Sequence, residues 1–64
     1  MKLRDIIRRT NNNTRIRIFV GCQTIFNESK SGTSEKEYNI VVRPYLDCPI
    51  RSVNYSIDSV IVII

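Results

Sequence analysis

The chain has 64 residues, 42% hydrophobic and 25% charged, enough for one domain that buries only about 60% of its unfolded surface. Its net charge of +4 is uneven: residues 1–20 set six basic side chains against Asp5, a balance of +5, and residues 21–64 come to −1. The longest apolar run falls far short of the ~20 residues that span a bilayer. With no histidine and two isolated cysteines, a structural metal site is not expected, and histidine-dependent catalysis is excluded.

Lys2 to Arg9 reads as a short amphipathic helix, because Leu3, Ile6 and Ile7 share one face and Lys2, Arg4, Asp5, Arg8 and Arg9 are left outside it. Arg8 and Arg9 fall in the last turn, where the helix dipole favours cations. The stretch Thr10-Asn11-Asn12-Asn13-Thr14 breaks the helix, since Asn and Thr side chains compete for backbone hydrogen bonds. Arg15 to Val20 alternates cleanly, with Ile16, Ile18 and Val20 on one side and Arg15, Arg17 and Phe19 on the other. Two arginines and an aromatic ring on one strand face are the equipment for holding a phosphate and stacking on its base. They serve equally as a solvated face whose arginine stems cover the phenylalanine. Gly21-Cys22-Gln23 supplies a tight turn, and Thr24 to Glu28 returns as a second strand.

Ser29 to Glu37 is rich in Ser, Gly and charge and reads as a mobile loop; it lacks the spacing and lysine placement of a P-loop. Tyr38 to Arg43 is expected to form the third strand, with Tyr38, Ile40 and Val42 on one face, ended by Pro44. After the bend at Pro44–Pro49, Arg51, Val53, Tyr55 and Ile57 alternate with polar residues, Asp58-Ser59 offers a turn, and Val60 to Ile64 is β-branched throughout. A strand apolar on both faces belongs at the centre of a small sheet or barrel, or against another subunit. The fold class expected is therefore α+β: a short N-terminal helix followed by a four- to five-stranded antiparallel sheet, strongly bent or barrel-like.

Catalysis is not expected, because Asp5, Glu28, Glu35, Glu37, Asp47 and Asp58 fall at surface, strand-end, loop or turn positions. Cys22 and Cys48 have no imidazole to activate them. They read as free, half-buried thiols of a cytoplasmic protein, since the charged segment Met1–Arg9 lacks the apolar core of a signal peptide. No cofactor motif is present. The candidate ligand-binding residues are Arg4, Arg8, Arg15, Arg17 and Phe19, with a second constellation of Arg43, Tyr45, Arg51 and Tyr55 about the bend and the strand that follows. Arginine's planar fork suits bidentate contact with phosphate or carboxylate. Tyrosines at such positions also serve as core rim with a wetted hydroxyl.

The order of a helix Leu3–Arg9, a hairpin over Arg15–Val20 and Thr24–Glu28, and a terminal hairpin Arg51–Ile64 resembles the Sm-like or SH3-like small barrel. Ile50-Arg51-Ser52 is similar to the Ile-Arg-Gly of the second Sm motif, with serine where glycine stands there. That resemblance implies an RNA- or single-stranded-DNA-binding ring. The opening Met1-Lys2-Leu3-Arg4-Asp5-Ile6-Ile7, with the richness in Ile and Asn, is similar in style to short proteins encoded by phages and prophages. This likeness implies an anti-defence factor in the host cytoplasm. The leading expectation is a non-enzymatic sponge that sequesters a small anionic cyclic nucleotide in a homo-oligomer joined through the C-terminal strand. The alternatives are an inhibitor of a host defence protein such as a CRISPR effector, an Sm-like nucleic-acid binder and a structural phage subunit.

Overall fold

The computed structural model describes residues 1–64. The first helix and hairpin lie where the alternation puts them: α1 spans Leu3–Arg9, β1 Arg15–Val20 and β2 Gln23–Ser29. The hairpin turn is Gly21-Cys22, with Gly21 at φ 61 and every non-glycine residue at negative φ. A positive φ at the first turn position alone is the type II′ arrangement, whose twist matches that of the flanking strands.

The next segment departs from the expected strand. Glu35–Val41 is a helix, α2, followed by a 3-10 turn at Arg43–Tyr45 that Pro44 opens. Ser34-Glu35-Lys36-Glu37 supplies the cap: the Ser34 hydroxyl accepts from the Glu37 N–H at 3.1 Å, and the two glutamates favour the positive end of the dipole. Tyr38, Val41 and Val42 then stack at i, i+3, i+4, with Val42 fully buried, whereas Ile40, which a strand would bury, is 64% exposed. The expected loop before α2 is pinned rather than loose. The Lys30 ammonium donates to the Ile7 carbonyl at 2.6 Å, and the Ser31 N–H to the Asn12 carbonyl at 3.0 Å.

The last two strands are β3, Ser52–Tyr55, and β4, Ser59–Ile63. Ile57 belongs to the turn between them and is fully solvent-exposed, so the alternation over Arg51–Ile57 overran the strand. The sheet order is β2-β1-β4-β3. It consists of two antiparallel hairpins laid side by side, joined along β1 and β4, which run parallel. The sheet is thus mixed, not antiparallel, and it is an open four-stranded layer, neither closed nor strongly curled into a barrel. A barrel would need β2 and β3 to pair with each other; they remain the two edges.

Leu3, Ile6 and Ile7 of α1 pack on Ile16, Ile18, Phe26, Val60 and Val62, with Val42 closing the same core. The segment 46–50 straps the start of α1: the Leu3 and Arg4 N–H groups donate to the Cys48 and Leu46 carbonyls at 3.1 and 3.0 Å. Two of the donors that every helix start leaves unpaired are thereby satisfied. Arg4 and Asp47 close the strap with an ion pair at 2.8 Å. No helix is long and apolar enough to cross a membrane.

Candidate functional site

Because α1 and α2 both cover one side of the sheet, the other side carries no helix. Side chains alternate along a strand, so the partners of the buried Ile16, Ile18, Val60 and Val62 project from this uncovered face. They are Arg15, Arg17 and Phe19 on β1 and Ser59, Ile61 and Ile63 on β4, with Arg17 opposite Ile61 and Phe19 opposite Ile63. Asn27 continues the row on β2, and Asn54 and Ser52 on β3. The face bears two guanidinium groups and no carboxylate, since Glu28 pairs with Ile16 and shares its side of the sheet.

The arginines differ in how they are held. Arg15 reaches across to β2, its Nη1 donating to the Asn27 carbonyl at 3.2 Å and to Asn27 Oδ1 at 3.1 Å. Arg17 lies along the sheet with its guanidinium carbon 5.4 Å from the centre of the Phe19 ring. Its Nε is buried and has no hydrogen-bond partner. A desolvated donor on a cation is costly unless an anion or water completes it.

The other expected site residues scatter. Arg4 is committed to Asp47, and Arg8 is exposed on α1. Arg43 turns back to Asn39 Oδ1 at 3.5 Å. Tyr45 and Arg51 line one apolar cleft of about 330 Å³ that also takes in Val20 and Ile64. Tyr55, 66% exposed, lines a separate polar cleft of about 190 Å³ with Arg9, Asn11, Thr14 and Ser59. The first cleft lies at the trailing ends of β1 and β4 and the second at their leading ends, so Arg43, Tyr45, Arg51 and Tyr55 do not form one constellation. Arg9 and the hydroxyls beside Tyr55 escaped the sequence reading, because only the parallel pairing of β1 with β4 brings residues 9–14 next to residues 55–59.

The cysteines are unpaired; Cys48 is half-buried in the apolar cleft, and Cys22, expected to be half-buried, is exposed at the hairpin tip. No group of three His, Cys, Asp or Glu side chains converges to hold a metal ion. Val60–Ile64 takes the central place its composition demands, but both edges of β4 are already paired. Self-association through it therefore has to use Ile61 and Ile63 on the uncovered face, not a strand edge. No protein-family model, curated protein or solved structure matches this chain.

Proposed function

We propose that the chain is a non-enzymatic binding protein whose uncovered sheet face receives an anionic nucleotide, with Arg15 and Arg17 on phosphate and Phe19 against a base. The supporting observation is the row of Arg15, Arg17 and Phe19 on one central strand, on a face without carboxylates. A single flat sheet cannot enclose a small ligand, and ligand pockets bury most of their occupant. A second copy laid over the same face supplies the missing wall, with the anion between the two sets of arginines. In this reading the protein sequesters a cyclic nucleotide signal, as an anti-defence factor does.

Calorimetry against a panel of cyclic di- and trinucleotides tests it. Saturable binding that disappears in Arg17→Met is expected; no binding at micromolar protein removes the proposal. The open flatness of the face also favours a second reading, a short single strand of RNA or DNA lying across β1 and β4. Oligonucleotide affinity that falls steeply with salt, without affinity for cyclic nucleotides, selects that alternative. Capture of a host defence protein with no nucleotide requirement selects the inhibitor reading instead.

A further inference from the structure

The polar cleft of about 190 Å³ at the leading ends of β1 and β4 lies between the last turn of α1 and the turn that joins β3 to β4. Tyr55 pairs with the buried Val60 and shares its side of the sheet, so the cleft belongs to the helix-covered side and not to the uncovered face. Its lining is rich in donors. The Arg9 guanidinium is in no ion pair, since the single salt bridge joins Arg4 to Asp47. Asn11 Oδ1 accepts from the Asn13 N–H at 2.9 Å, which leaves the Asn11 amide NH2 to donate. The Ser56 and Ser59 hydroxyls share one hydrogen bond at 3.0 Å, so one of their two hydrogens remains for a ligand, and the Thr14 hydroxyl stands beside them. No carboxylate lines the cleft: Asp5 accepts from the Lys2 N–H at 2.9 Å, and Asp58 in the turn lies outside it.

We infer that this cleft binds a phosphate monoester, its phosphate on Arg9 and the surrounding donors and its organic body against Tyr55 and Ile57. A monoester presents three strong acceptor oxygens and a charge of about −1.5 to −2 at neutral pH. Those oxygens match a guanidinium fork ringed by Asn11, Thr14 and Ser59, whereas a carboxylate has only two to offer. Tyr55 is 66% exposed and Ile57 fully exposed at the rim, which gives an aromatic or apolar body a surface to lie on. The volume falls below the range of about 300–1,000 Å³ that encloses a whole small molecule, so the cleft takes the phosphate and leaves the body at the rim. A cyclic nucleotide carries its phosphates as diesters with fewer free oxygens, so this site differs in ligand as well as in place from the one proposed on the uncovered face.

Phenyl phosphate is the probe, with inorganic phosphate and benzoate as comparisons, followed by amide shifts in NMR. The expected result is saturable binding with shifts confined to residues 9–14 and 55–60, leaving Arg17 and Phe19 unmoved. Phenyl phosphate should bind more tightly than either comparison, because inorganic phosphate lacks the ring and benzoate lacks the third oxygen. Arg9→Gln, at an exposed position, should weaken phenyl phosphate about tenfold or more. Tyr55→Ala should bring it down to the affinity of inorganic phosphate. Shifts that never saturate, shifts centred on Arg17 and Phe19, either comparison binding as tightly as phenyl phosphate, or an affinity unchanged in either variant would each overturn the assignment.

Discussion

Replacing Arg17 by methionine should separate binding from stability. In the free protein the Arg17 Nε is buried without a partner, and an unsatisfied buried donor costs about 1–3 kcal/mol. Methionine keeps an unbranched apolar stem of similar reach against Phe19 and Ile61, so the packing of the arginine stem is largely retained. The loss is the cation–π contact at 5.4 Å, worth about 0.5–1 kcal/mol at a partly exposed site. The balance is a gain of about 0–2.5 kcal/mol. For a domain of this size each kcal/mol moves Tm by about 4–8 °C. Urea and thermal denaturation measure the stability, and calorimetry with the nucleotide panel measures binding. The expected outcome is a variant at least as stable as wild type that no longer binds. A destabilisation of more than about 1 kcal/mol would show that Arg17 serves the fold, and would refute the reasoning that its unpaired, desolvated Nε is a net cost to the free protein.

The fold itself makes further demands. Ile18 is completely buried in the central strand, so Ile18→Ala should cost about 2–5 kcal/mol, a large share of the roughly 3–10 kcal/mol available to a domain of this length; a urea midpoint that barely moves would contradict that core. Ser34→Ala removes the α2 cap and should cost about 0.5–2 kcal/mol, with helical chemical shifts over Glu35–Val41 weakening first. The Asp5 carboxyl is held below its ordinary value of 3.8, chiefly because it accepts from the Lys2 N–H, with Arg8 and Arg9 adding to the effect. A lowered folded-state pKa gives stability that is present above 3.8 and lost as pH falls through the folded value. Wild type should therefore exceed Asp5→Asn in stability at neutral pH and lose that advantage in acid, and a difference unchanged between about pH 6 and pH 2 would contradict the linkage.

Where local pattern and global fold agree, the sequence is a good guide. Leu3, Ile6 and Ile7 mark α1, and the alternation Arg15–Val20 fixes both the extent of β1 and the side on which Arg15, Arg17 and Phe19 emerge. Tyr38–Val42 misleads because its apolar residues satisfy a period of two and the i, i+3, i+4 spacing at once. The deciding signal is the Ser34–Glu37 cap just upstream, inside a stretch whose polarity reads as loop. Alternation in Arg51–Ile57 carries no record of where pairing with β4 stops, which leaves Ile57 in the turn. The parallel contact of β1 with β4 joins residues more than forty positions apart, and no local pattern encodes such a pairing. For that reason the two end clefts, and with them the separation of Tyr45 and Arg51 from Tyr55, emerge only in three dimensions.

The most direct measurement is an NMR titration of the assigned protein with a cyclic dinucleotide, read residue by residue at the backbone amides. Saturable shifts centred on Arg15, Arg17, Phe19, Ile61 and Ile63, with α1 and α2 unmoved, are expected if the uncovered sheet face is the binding surface. Shifts that instead cluster on the helices or at the cleft around Tyr55, leaving β1 and β4 silent, would contradict it.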